Sequence, residues 1–301
     1  MTRPVRATAI LVILCVGCGS PEVQSVPGSG GSAGGSGGSG TGGAPSEGTG
    51  GSDGSGGSPG SGGTGPAVNP LGRARCTPPA GMTGSPQTIG DAVALINALP
   101  KPTSVACFVE SLDRPLGTYA TNSMFSLQPA VSNASPRVFF KVGRMWLSIV
   151  IDGDGKDLLE FGELLDDGVR SLKAEMQFPT TDQVSPTVPF DRVLYSNGGT
   201  VCGVCHRNEE LDHLEGTSQI FSSLAFRPEP ATRVSLDSLR GQAQSCDWQA
   251  QPARCDLLSA VFGGGDVVDA EFPKSMATFL TSSLPSSSLL NPATGVVSIR
   301  P

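Results

Sequence analysis

Two hydrophobic periods alternate along the chain. Over Thr88–Leu99 the apolar residues Ile89, Ala92, Val93, Ile96 and Leu99 recur every three or four positions, the spacing of one helix face. Pro100 and Pro102 end that run, because proline lacks a backbone donor and clashes with the preceding turn. The period then shortens to two. Arg137–Val142 and Met145–Ile151 flank Gly143-Arg144 and read as a hairpin. Asp152–Gly155 is the next turn, and Leu158–Leu164 and Val169–Phe178 continue as strands. Such short connections favour antiparallel pairing, so a meander or small sandwich is expected from Phe108 to Phe178, with Phe190–Tyr195 as one more strand.

The pattern changes again further on. Glu209–Phe226 reads as holding a short helix. Ser235 is placed to cap a helix over the following residues to Arg240. Cys255–Phe262 reads as a helix ended by Gly263-Gly264-Gly265, and Phe272–Phe279 as a last structured element. The fold class expected is α+β. A helix and a β-rich segment occupy 69–195, and a mostly helical or irregular segment occupies 196–301. The tail from Thr281 is rich in Ser and Pro and reads as loosely held.

Composition narrows the function. Charged residues are 16% of the chain and the net charge is −7. With no Lys/Arg run, nucleic acid is not an expected partner. The chain has 2 His, so a metal site built from several imidazoles is excluded. The N-terminus supplies a compartment. Arg3 and Arg6 precede an apolar run from Ala7 to Val16, too short to span a bilayer and suited to a secretory signal. Val16-Gly17-Cys18 resembles the lipobox of bacterial lipoproteins, which implies cleavage before Cys18 and a lipid on it. Residues 1–18 are then the signal with its lipidation cysteine. Residues 19–68 are dominated by Gly and Ser and read as a disordered tether, because such a tract buries too little apolar surface to offset its ordering entropy. About 40 flexible residues reach roughly 35 Å. The expected location is the bacterial envelope, facing periplasm or exterior, with the membrane engaged through that lipid.

The chemistry concentrates in Cys202-Gly203-Val204-Cys205-His206. Two cysteines at i and i+3 followed by His have the spacing for haem attachment. Two thiols would meet the vinyl groups on one porphyrin edge, and the next residue would bring an imidazole to the iron. The five residues resemble the attachment site of cytochromes c. The resemblance implies haem c as cofactor, thioethers at Cys202 and Cys205, His206 as proximal ligand, and a cytochrome c-like segment over 196–301. Met276 is the candidate for the opposite axial position, beside the alternative that it fills an apolar gap. The same motif also suits a disulfide or, less well by spacing, zinc.

Asp152, Asp154 and Glu163 match positions 1, 3 and 12 of a calcium loop. Lys156 and Asp157 break that pattern, so a hairpin turn is expected there. Setting Cys15 and Cys18 aside leaves Cys76, Cys107, Cys202, Cys205, Cys246 and Cys255. If the motif pair holds haem, Cys246 most simply bridges to its near neighbour Cys255, and Cys76 to Cys107. No catalytic constellation stands out, so no enzyme activity is expected. Two functions follow. One is a membrane-anchored monohaem protein for electron transfer or redox sensing, with an unknown redox or protein partner. The other is a disulfide-stapled surface lipoprotein, a non-enzymatic binding module in which Cys202 and Cys205 form a disulfide.

Overall fold

In a computed structural model of the chain, residues 69–195 and 198–279 are described. The signal, Cys18, the tether and the tail from Thr281 lie outside the described residues. Helix α1 (Ile89–Ala98) starts at a capping box, in which Thr88 accepts from the Asp91 amide and the Asp91 carboxylate accepts from the Thr88 amide. Helix α2 (Val105–Glu110) is capped by Ser104. Strands β1 (Leu116–Thr121), β2 (Arg137–Val142), β3 (Met145–Val150), β4 (Leu158–Leu164) and β5 (Arg170–Gln177) follow as an antiparallel meander.

Next come a short helix α3 (Val188–Asp191), a 3-10 turn (Val201–Val204), and strands β6 (Glu210–Glu215), β7 (Ser218–Leu224), β8 (Phe226–Arg227) and β9 (Arg233–Val234). Helices α4 (Leu236–Gln244) and α5 (Pro252–Phe262) and strands β10 (Val267–Asp269) and β11 (Ala277–Thr278) complete the described elements.

The main sheet has nine strands in the order β10-β1-β2-β3-β4-β5-β7-β6, with β9 also on β1. Only its β10–β1 pairing is parallel. The mixed α and β class is therefore right, but the cytochrome c-like helical segment is not. The residues after the motif supply β6, β7, β9 and β10 to the same sheet as the meander. Glu209–Phe226, expected as a helix, is a hairpin turning at Gly216, whose φ of 61° suits glycine. Pairing of β7 with β5 outweighs the local helical signal. Strand β6 is exposed at the edge and carries Glu210, Asp212 and Glu215, charges that discourage edge-to-edge association. Phe190–Tyr195, expected as a strand, begins instead inside α3, where Pro189 suits a helical first turn.

The pleat sends alternate residues of the meander to opposite faces. Phe140, Leu147, Leu159, Phe161, Leu172 and Met176 face the core, where they join Ile89, Ile96, Phe108, Leu258 and Val261 of the helices. Glu163 accepts from the Ile89 amide at 2.9 Å, joining β4 to the start of α1. Asp152, in turn, pairs with Arg254 of α5. Two of the three carboxylates that resembled a calcium loop, Asp152 and Glu163, are thus committed to separate structural contacts.

Polar and covalent ties hold the helical layer. Arg73 bridges Glu110 of α2 and Asp256 of α5, each at 2.7 Å. Arg114 donates to the Val261 and Ala260 carbonyls at 2.6 and 2.7 Å, the end of α5 where cations are favoured. Disulfides join Cys76 to Cys107 and Cys246 to Cys255. With sequence separations of 31 and 9, the chain-entropy account assigns them about 3–4 and about 2–3 kcal/mol respectively. Replacing Cys76 and Cys107 together by Ser should therefore lower unfolding stability in urea by about 3 kcal/mol. The Cys246/Cys255 double replacement should cost less; the reverse order would contradict this account.

Candidate functional site

The face of the meander opposite the core is chemically different. Arg137 and Phe139 of β2, Trp146 and Ser148 of β3, Glu160 of β4 and Lys173 of β5 line an open-mouthed cavity of about 160 Å³. Cys202, Cys205 and His206 close one side of it, and Phe226, Phe272 and Met276 another.

The motif turn is held from behind by Glu209. Its carboxylate accepts from the Thr200 amide at 2.8 Å and from the Thr200 hydroxyl, which in turn accepts from the Gly203 amide at 3.2 Å. A Cβ on Gly203 would lie 2.5 Å from the Glu209 carboxylate, so this packing requires glycine between the two cysteines. Cys202 and Cys205 are both thiols, which corrects the expected bridge between them.

The aromatic walls are packed against one another. Phe272 stacks on Trp146 with centroids 3.7 Å apart and planes at 14°. It also meets Tyr119 and Phe139 edge-on, each at 5.2 Å. His206 lies over Phe226 at 5.1 Å and 18°. Its Nδ1–H donates to the Leu224 carbonyl at 2.7 Å, which leaves Nε2 unprotonated.

The polar floor is unevenly paired. Arg137 forms an ion pair with Glu160, donates to the Ser148 hydroxyl at 2.8 Å and covers Phe139 at 4.7 Å. Glu175 pairs with Arg192 at 3.1 Å. Lys173 is 8% exposed and donates to the Ser171 hydroxyl at 2.6 Å. Burial lowers its pKa to about 8; Arg137 adds to the shift, and Cys202 and Glu160 oppose it. Burial pushes the Cys202 thiol up to about 12, with Glu160 and Glu175 reinforcing and Lys173 and Thr200 opposing. Burial pulls His206 down to about 3, helped by Lys173 and Arg137 and opposed by the bond to Leu224.

The expected residues Cys202, Cys205, His206 and Met276 do meet at one cavity, yet the haem reading does not survive. Among the described residues no group of three or more His, Cys, Asp or Glu side chains is gathered that could hold a metal ion. The segment after the motif is strand, as described above. Met276 is buried with Tyr119, Trp146 and Ala270 in one apolar cluster, which fits gap filling. The monohaem electron-transfer role expected from the motif is therefore corrected, and the two disulfides favour the stapled module instead.

Motif reasoning missed Lys173, Arg137, Glu160, Trp146 and Phe272. For Arg137, Glu160 and Lys173 the trace in the sequence is a charge within an otherwise apolar strand, which reads equally well as a solvated face. No family model, curated protein or solved structure matches this chain.

Lys173→Met tests the electrostatics of the ligand-free protein. The folded state releases the lysine proton near pH 8 and the unfolded chain near 10.5. The ammonium therefore destabilises below pH 8, and the penalty vanishes as pH rises through 10.5. The variant should be more stable at pH 7 by about 3 kcal/mol, with the gain shrinking across that window. A destabilised variant at pH 7 would contradict the assignment.

Proposed function

We propose that this chain is a disulfide-stapled, non-enzymatic binding module of the bacterial envelope, holding a small ring-bearing molecule in the cavity on the open face of the sheet. The observation that carries the reading is the cavity itself. Its aromatic walls enclose a few fixed polar groups, the composition expected of a small-molecule site, and it lies on the sheet face opposite both disulfides and the helices. A cavity of about 160 Å³ is close in size to one that accepts a single aromatic ring, and its open mouth admits more.

The reactive groups support binding rather than turnover. A thiolate is the nucleophilic form of cysteine, but Cys202 stays protonated at neutral pH with its value near 12. An imidazole whose value is near 3 is a weak base. The pair therefore lacks the activated nucleophile of covalent catalysis. The location rests on the lipobox and tether at the N-terminus. Among the described residues no helix is long and apolar enough to cross a membrane, and the anchor in this reading is the lipid at Cys18.

Two measurements test the proposal. Cys18→Ser should shift the exported protein from the membrane to the soluble fraction; unchanged membrane partition would remove the anchor. For the cavity, Gly162 offers a blocking variant. It lines the cavity from β4, and a Cβ there meets its nearest neighbour at 3.6 Å, so the Cβ of a Gly162→Val variant is accommodated. The neutral probe N-phenyl-1-naphthylamine should brighten on the wild-type protein, and Gly162→Val should weaken that binding at least about tenfold while preserving the melting temperature. Equal binding by both proteins, or an intact mass showing a covalent addition at Cys202 and Cys205, would overturn the reading.

A further inference from the structure

We infer that the molecule this cavity takes carries one acidic group, seated against Lys173, on a flat apolar body lodged between the aromatic walls. The inference rests on the cavity being a binding site and adds the class of its occupant. Three carboxylates line the cavity, and two of them are already engaged: Glu160 by Arg137 and Glu175 by Arg192. Lys173 has no ion-pair partner among the described residues, and its ammonium donates to one neutral hydroxyl, Ser171. An ammonium offers three donors. Burying it with one of them used is unfavourable unless an acceptor arrives.

An anion seated there would supply the missing charge and accept the remaining N–H groups, and charge-assisted hydrogen bonds of this kind are the stronger class. The third carboxylate, Glu229, has its Oε1 buried without a hydrogen-bond partner. That atom would accept from an N–H or O–H elsewhere on the occupant. The body is flat and apolar because four rings, Phe139, Trp146, Phe226 and Phe272, line the cavity beside its serines and Arg227. The occupant is therefore an aromatic acid.

Two fluorescent probes isolate the acid. 8-Anilinonaphthalene-1-sulfonate and N-phenyl-1-naphthylamine share the same rings and the same N–H and differ by the sulfonate. The full-length exported protein should bind the sulfonate at least about tenfold more tightly than the neutral probe. Lys173→Met should abolish that preference, bringing the two probes' affinities within about twofold of each other. Its melting temperature, read alongside, confirms folding independently of binding. Gly162→Val should weaken both probes, which separates cavity binding from adhesion to the surface. Equal affinities in the wild-type protein, or a preference that survives Lys173→Met, would overturn the acid while the binding module stands. Failure of the wild-type protein to bind the neutral probe would remove both.

Discussion

Successive side chains of an extended strand change face, and across β2 to β5 that constraint sorts chemistry as well as burial. In β2, Val138 and Phe140 enter the core while Arg137 and Phe139 enter the cavity wall. In β5, Leu172 and Met176 do the first and Lys173 the second. A slip of one residue would exchange the two sets and drive Arg137, Glu160 and Lys173 into the apolar layer. Register is therefore tightly held in these strands, and the cavity inherits its geometry from the core.

The division also explains where the structure spends stability. The helical layer is tied by two disulfides, by Arg73 between Glu110 and Asp256, and by Arg114 on the end of α5. The opposite face concentrates groups that are costly to bury: an ammonium donating to one hydroxyl, a thiol held protonated and an imidazole held neutral. Natural proteins keep such arrangements where a site needs them. A rigid back and a strained front fit a module that must present a preformed cavity.

The motif turn is best understood within the same frame. Glu209 fixes Thr200, and a side chain at position 203 would displace its carboxylate. His206 is oriented by the Leu224 carbonyl and by Phe226. These contacts make Cys202, Cys205 and His206 part of the cavity wall, with chemistry muted by burial.

Local pattern determined a good deal of this protein. Helix α1 follows from the spacing of Ile89, Val93 and Ile96 and from the prolines after it. The meander follows from period-two runs joined by short turns, because both signals act between near neighbours. The cysteines at 246 and 255 are near in sequence and are bridged. What no local signal contained was the fate of the residues immediately after the motif. Glu209–Phe226 carries enough helical character to mislead, and a long-range partner, β5, decides that it is sheet. The same holds for the site. Lys173 and Glu160 look like solvated strand positions until Phe226, Phe272 and the motif turn close over them. A motif names side chains in sequence; whether they bind, react or only line a wall depends on neighbours brought from more than a hundred residues away, and tertiary packing alone sets those neighbours and their dielectric surroundings.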